Sequence, residues 1–584
     1  MVNLVQSKPF PMAAITKRWK PKQDPDPRVV DELASALSIY PILARLLVQR
    51  GITTFDDAKA FFRPSLEALH DPFLMRGMEP AIERLEQALG NKEGILVYGD
   101  YDVDGTTAVA LVYSFLKPFA HRVAYYIPDR YKEGYGISFQ GIDFAKKEGY
   151  SLIIALDCGI KSVDKVAYAK EKGIDFIICD HHRPGDELPD AVAVLDPKRS
   201  DCTYPFDELS GCGIGLKFMQ AFAQRNNLFA EDFYNHLAEW LDFVVVSIAA
   251  DIVPITGENR ILAAFGLQRL NARKREGFKA IMEVSGVRRD LSVSDIVFTI
   301  APRINAAGRI NSGNQAVELL TSNDSSVAEG SGKSIDETNN ERKNIDQLIT
   351  QQAFAMIEES LPLQQSKSTV LFHNEWHKGV VGIVASRLTE RYYRPTIVLT
   401  ESNGMATGSA RSVKDFDVYN AIEACSDLLE QFGGHKYAAG LTLKLENIPA
   451  FQERFEQVVS TTISEELLTP EVEIDAELRL SDIDARFFRI LKQFAPFGPG
   501  NMNPVFRTTG LSHRGNLRQV GANHLRIEVF QEDCPRSFPA IAFGMGHLYD
   551  ELLKSDGFDA CFSLDENEWN GNTTLQLNIK DIKL

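Results

Sequence analysis

Ile95-Leu-Val-Tyr-Gly-Asp-Tyr-Asp-Val-Asp-Gly105 begins as an apolar β-type run and passes without a break into three alternating acids. The run recurs downstream at Val123–Ile127, Leu152–Leu156, Phe176–Cys179 and Ala191–Leu195. Near-continuous hydrophobicity, rather than strict alternation, marks strands covered on both faces. Thr106–Leu116 and Ser162–Lys172 have the length of crossover helices, so the pattern reads βαβαβ and predicts a parallel sheet.

The acids lie where those runs stop. Leu152–Leu156 ends at Asp157, Phe176–Cys179 at Asp180-His181-His182, and the apolar run Phe243–Ala250 at Asp251. In an open α/β sheet, ligands bind at the carboxyl ends of strands, so these four ends are expected at one edge. Carboxylates and imidazoles crowded in water-poor space repel and shed charge unless a cation joins them. Mixed Asp and His ligation suits Mn²⁺ or Mg²⁺, and two such ions about 3.5–4 Å apart can activate water against a phosphoester. Taken singly, the acidic loop could be a Ca²⁺ turn, a strand-end Asp a helix cap, and the His pair structural.

Outward from this core, 584 residues call for several domains. A net charge of −17 argues against general polyanion binding, although a local basic groove can coexist with an acidic exterior. Seven cysteines without CxxC spacing read as reduced thiols of a cytosolic protein. No signal peptide and no membrane span are expected. Residues 340–360 carry apolar side chains near helical spacing and are expected to form a long connecting helix, with the Gly/Ser-rich Ser325–Ser334 ahead of it. A second α/β unit follows from about residue 369, with strand-type runs at Thr369–Phe372 and Thr396–Leu399 and a helical stretch, Gly382–Arg391. From about 470, short alternating β segments with turns between them suggest a small β-barrel.

Taken together, Tyr98-Gly-Asp-Tyr-Asp-Val-Asp-Gly105, Ala155-Leu-Asp-Cys-Gly159, Asp180-His-His182 and Ala249-Ala-Asp-Ile-Val-Pro254 resemble the DHH phosphoesterase superfamily. Pro302-Arg-Ile-Asn-Ala-Ala-Gly-Arg309, Gly433-Gly-His-Lys-Tyr-Ala-Ala-Gly440 and Phe497-Gly-Pro-Gly-Asn501 narrow the resemblance to RecJ-type single-strand exonucleases. It implies an α/β multidomain chain: a helical N-terminal extension (1–85), a parallel-sheet DHH domain (86–320) and the connecting helix (321–365). A smaller α/β DHHA1 domain (366–460) and an OB-like barrel (461–584) would follow.

In that family's pattern Asp102, Asp104, Asp157, His181 and Asp251 hold a pair of Mn²⁺ or Mg²⁺ ions, with Asp157 bridging. His182 faces the scissile phosphate and Asp180 orients the imidazoles. Arg130, Arg303, Asn305, Arg309, Ser409, Arg411, Gly433, Gly434 and His435 are the implied substrate contacts, since arginine grips phosphate and glycine lets backbone amides approach an anion. Arg303, Asn305 and Arg309 are expected in a Pro/Gly-punctuated loop. Many relatives carry His where this chain has Tyr98, which leaves the first ion's ligand set open there and Asp100 unassigned.

The implied activity is hydrolysis of single-stranded DNA from the 5′ end, in repair and recombination, by a cytoplasmic monomer without membrane attachment. A single-strand-binding protein and a helicase are the candidate protein partners. Two other readings compete: cleavage of short oligoribonucleotides or cyclic dinucleotides, and non-enzymatic DNA binding. The chain's length and terminal barrel weigh against the first, the complete acidic set against the second.

Overall fold

The computed structural model describes residues 16–310, 312–521, 523–569 and 572–584. The chain divides into two compact units: Lys59–Lys343 with Phe494–Met502, and Met1–Ala58 (as far as described) with Asn344–Gln493 and Asn503–Leu584.

The first unit is built on five parallel strands, β1 (Gly94–Gly99), β2 (Arg122–Tyr126), β3 (Tyr150–Leu156), β4 (Asp175–Cys179) and β5 (Ala193–Leu195), in the order β2-β1-β3-β4-β5. Side chains of β1 alternate between two apolar layers, Ile95 and Val97 in one, Leu96 and Tyr98 in the other. Burial on both faces is why the run is apolar throughout. The chain leaves β1 towards β2 on one side and returns to β3 on the other. That makes the β1/β3 boundary the switch point at which such sheets bind ligands. Crossover helices α1 (Val103–Leu116), α2 (Phe139–Glu148) and α3 (Val163–Glu171) cover the faces, followed by α4 (Gly211–Arg225) and α5 (Leu241–Ala250).

Helix α5 corrects the reading of Phe243–Ala250 as a strand. The segment is buried from Leu241 through Ala249. A helix apolar on every side leaves no 3.6-residue signature, so periodicity cannot tell it from a buried strand. Asp251 therefore sits at a helix C-terminus, its N–H donating to the Ser247 carbonyl at 2.9 Å.

A second correction concerns Arg303, Asn305 and Arg309, expected on a loop. They lie on the helix Ala301–Ile310, which continues from a π-helical turn, Ile296–Ile300. Pro302 lacks an N–H and its ring crowds the preceding turn; the wider π turn accommodates both. The third is Ser325–Ser334, which lies inside the 34-residue helix Ser325–Glu358 instead of preceding it. Asp324 caps that helix by accepting from the N–H groups of Ser326 (2.8 Å) and Val327 (3.1 Å).

In the second unit Thr369–His373 pairs in parallel with Thr396–Ser402, and Met405–Arg411, Ala438–Lys444 and Gln431–His435 extend that sheet antiparallel. Gly433 and Gly434 are thus strand residues. The C-terminal β region spans Ala476–Glu477 to Asn572–Lys583 in seven strands. Phe506–Ser512 pairs with both Phe558–Trp569 and His524–Gln531, closing the sheet into a barrel. The N-terminal extension, of which residues 1–15 lie outside the described ones, is not purely helical. Arg18–Pro21 forms a strand parallel to Glu471–Ile474, a pairing no local pattern announces.

Candidate metal centre

Three backbone features bring the acids together. Asp102 caps α1, accepting the Gly105 N–H at 2.9 Å, which places Asp104 in the first turn. Asp157, just past β3, adopts a left-handed backbone (φ +58°) that non-glycine residues take only under constraint. Gly211, at the start of α4, packs directly against it: a Cβ there would lie 2.6 Å from the Asp157 Cβ. Only glycine lets the N-terminus of α4 come this close.

That N-terminus holds Asp104. The N–H groups of Gly211 and Cys212 donate to its two oxygens, each at 2.7 Å, and the Ser247 hydroxyl donates at 2.6 Å. A helix N-terminus is a natural seat for a carboxylate. His181 Nε2 then faces three carboxylate oxygens, at 3.2 Å from Asp157 Oδ1, 3.6 Å from Asp251 Oδ2 and 3.7 Å from Asp104 Oδ2. Among the described residues, neither His181 ring nitrogen nor Asp157 Oδ1 has a hydrogen-bond partner, although all are buried. Orphaned donors and acceptors in one buried pocket mark a missing participant.

Electrostatics give its sign. Burial, and then the neighbouring Asp104, Asp102, Asp251 and Asp180, push the Asp157 carboxyl well above the usual range. Burial and the charges of Asp104 and Asp102 lift Asp251 to about 8. Asp102 is raised by burial and Asp104, Asp100 well above normal by burial and Asp102. Burial lowers His181, so it stands as a neutral imidazole, the ligating form. The carboxylate shifts combine burial with mutual repulsion, so several acids are packed here at close quarters. Two ligand groups converge, Asp157–His181–His182 and Asp104–His181–Asp251, the ligating atoms of each within 4.8 Å of one another. The set is oxygen and imidazole. The adjacent Cys158 and Cys212 thiols are held protonated, chiefly by burial. This donor chemistry fits Mn²⁺ or Mg²⁺.

His182 differs from its neighbour. Its side chain is 43% exposed, and its Nδ1 bonds Asp180 at 2.8 Å. Burial disfavours its charged form, but the Asp180 bond and the surrounding carboxylates prevail and raise it to about 9. Asp180, which burial alone would raise, falls to about 2 because it accepts from His182 and from the Ile160, His181 and His182 amides. Nε2 of His182 is left facing the Tyr135 hydroxyl at 3.3 Å. The Tyr98 hydroxyl, whose position left the first ion's ligand set open, bonds among the described residues to Gly136 and Ser138 on the α2 side of the sheet. Asp100 is buried with its Oδ2 unpartnered among the described residues.

The other expected contacts fall into two groups. Arg130 lies 4.9 Å over the Tyr101 ring, inside the acidic loop. The Arg309 carbonyl accepts from the Tyr131 hydroxyl, and Gly308 packs so tightly on Tyr101 that a Cβ would meet its carbonyl at 2.4 Å. Arg130 and Arg309 thus border the metal residues. Arg303 is turned to Asp336 (2.9 Å) and the Thr299 carbonyl (2.7 Å), and Asn305 is half-buried on the same helix.

In the second unit, strand register sets His435, Ala438 and Arg411 on one rung and Gly433, Gly440 and Ser409 on another, with Gly434 paired to Ala439. Arg411 donates to Ser409 Oγ at 2.6 Å; burial lowers its pKa, and no carboxylate pairs with it among the described residues.

Sequence reasoning missed Asp196 and Ser247. Asp196 follows β5 as Asp157 follows β3, so the same strand-end signal was available. It is buried, and burial lifts it to about 7. Ser247 precedes Asp251 by one helical turn, a relation invisible while that run reads as a strand.

Residues 94–248 match the DHH family, N-terminal domain, residues 365–461 the DHHA1 domain and residues 474–581 the RecJ OB domain. The chain is 38% identical, over 98% of its length and 71% of the relative's, to the single-stranded-DNA-specific exonuclease RecJ of Bacillus subtilis. It is 34% identical to the Escherichia coli protein of that name, over 95% of this chain and 98% of that one. The crystal structure of Thermus thermophilus RecJ in complex with Mn²⁺ superposes with a TM-score of 0.82 at 27% identity, covering 97% of this chain and 79% of that one. The Mg²⁺ complex of the same protein gives 0.77 at 26% identity, covering 97% and 78%.

Proposed function

The chain belongs to the RecJ family of single-stranded-DNA-specific exonucleases, and from that membership we propose how its own residues carry out the reaction. It is a metal-dependent exonuclease of single-stranded DNA. The observation that supports the assignment of residues is the set of orphaned His181 and Asp157 atoms in a buried pocket crowded with carboxylates.

Asp102, Asp104, Asp157, His181 and Asp251 hold the ions, with Asp157 shared. When bound, two Mn²⁺ or Mg²⁺ ions supply an activated water and neutralise charge on the scissile phosphate. Ser247 and the α4 amides fix Asp104, so the ligand geometry is set before the ions arrive. His182 presents Nε2 to the phosphate while Asp180 fixes its ring through Nδ1. Arg130 and Arg309 attract the backbone beside the acidic loop. Arg411, with Ser409, Gly433, Gly434 and His435, takes a strand phosphate, since a buried guanidinium without a carboxylate is completed by an anion. Arg303 and Asn305 support the helix that carries Arg309.

Digestion runs 5′→3′ in repair and recombination. The protein acts as a cytoplasmic monomer to which a single-strand-binding protein and a helicase bring substrate. End-labelled single-stranded, duplex and RNA substrates, with Mn²⁺ or Mg²⁺ and with chelator, test this reading. The expected result is 5′-end digestion of single-stranded DNA that chelator abolishes; equal digestion of duplex, or cleavage in chelator, overturns it.

A further inference from the structure

We propose that Phe298 is a base-stacking residue that grips the single strand a short distance from the metal centre and contributes to single-strand selectivity. The inference rests on the proposed substrate. Phe298 is 78% exposed, more than any other large apolar side chain among the described residues. Its neighbours Ile296 and Ile300 on the same π-helical turn are fully buried, so the turn is anchored from beneath while the ring stands clear. π turns of this kind recur at functional sites because they re-aim a side chain without breaking the helix.

The position is continuous with the site. From the π turn the helix runs to Gly308, which touches Tyr101 between Asp100 and Asp102. At a helical rise of 1.5 Å per residue, ten residues set Phe298 about 15 Å from that contact. The helix is tethered beside the long helix, since Arg303 binds Asp336 there at 2.9 Å. A strand entering the acidic loop along this helix meets an aromatic face before it meets the metals. An unpaired base has a free π-face to stack on such a ring, whereas a base inside a duplex is already stacked on both sides.

The test is steady-state hydrolysis of single-stranded DNA by the full chain with Mn²⁺, for wild type, Phe298→Ala, Phe298→Leu and Phe298→Trp. Phe298→Ala and Phe298→Leu should raise KM roughly tenfold at near-constant kcat, and Phe298→Trp should restore the wild-type KM. A strand whose interior positions are abasic should remove the difference between wild type and Phe298→Ala, because the stacking partner is gone. Unchanged KM in Phe298→Ala, or an equal penalty on base-bearing and abasic strands, overturns the proposal. Rescue by Leu to the same degree as by Trp also overturns it, since that would be bulk rather than stacking. If wild type itself fails to digest single strands, the proposed function falls, and this inference falls with it.

Discussion

The first unit buries two clusters of charge and treats them in opposite ways. Around Lys217, every charge is answered by protein. Its ammonium lies 2.6 Å from Glu258 Oε1 and donates to the His70 carbonyl at 3.0 Å, while Glu258 accepts from the His70 N–H at 2.9 Å and the Tyr204 hydroxyl at 2.6 Å. Around His181, carboxylates face one another and an imidazole, and buried atoms go unbonded. Both places take charge out of water, so both were costly to build. A closed network repays the desolvation within the fold; an open one waits for something from outside. Buried charge by itself is therefore not the mark of a working site. Buried charge left unsatisfied is.

The strongest way to break the contrast is to remove Asp157, proposed above as the ligand the two ions share. Asp157→Ala should abolish metal-dependent hydrolysis, a loss of at least a thousandfold. It should also raise the melting temperature of chelator-treated protein, because one of several repelling carboxylates is gone. Mn²⁺ should stabilise the wild type and not the variant, as expected for a ligand that binds only the folded site. A calorimetric scan with and without Mn²⁺ checks both; equal stabilisation of the two proteins would refute the assignment of Asp157.

The Lys217 cluster should respond in the reverse sense. Lys217→Met leaves Glu258 buried without its counter-charge, and should destabilise the fold by about 3–5 kcal/mol in denaturant titrations. Activity per folded molecule should stay near wild type. A large drop in kcat at full folding would mean that this cluster, too, serves the chemistry.

How far these two clusters could be read from sequence depended on local pattern. Asp157 and the Asp180–His182 triplet were legible because strand ends in a parallel sheet share an edge. Asp251 was legible for a mistaken reason: its helix presents apolar residues on all sides and imitates a buried strand. The Arg303–Arg309 helix was hidden behind Pro302 and Gly308, which read as loop punctuation, yet one marks a π turn and the other a close approach to Tyr101. The Lys217–Glu258 pair, the seat of Asp104 on α4 and the strand Arg18–Pro21 join residues far apart in sequence with no local signature. Long-range pairing of this kind is decided by packing, not by propensity.

A smaller effect separates the clusters by pH. Asp251 rises to about 8 and His182 to about 9 in the metal-free fold, so between pH 6.5 and 8 the folded state holds protons that the unfolded chain has released. The Asp251 contribution is complete only below about pH 4 and is lost up to about 8, that of His182 is complete below about 6.5 and is lost up to about 9, and both therefore decline from pH 6.5 to 8. Chelator-treated protein should lose a few degrees of melting temperature from pH 6.5 to 8. Mn²⁺ should flatten the slope, since a bound cation takes the place of the proton on Asp251. A slope unchanged by Mn²⁺ would show that the titrating groups lie elsewhere.

The smallest expected effect tests the closed cluster most sharply. Glu258→Gln in the Lys217→Met background removes both charges and keeps a carbonyl oxygen for the His70 N–H, with the amide still able to pair with the Tyr204 hydroxyl. If Lys217 and Glu258 serve only each other, the double variant should recover most of the single variant's loss and lie within about 1–2 kcal/mol of wild type. A double-mutant cycle by chemical denaturation gives the coupling directly. Additive losses would mean that each charge has a separate task, and the line between answered and unanswered charge would have to be redrawn. No analogous swap can rescue the His181 cluster, because no arrangement of neutral side chains there substitutes for a divalent cation and the phosphate it engages.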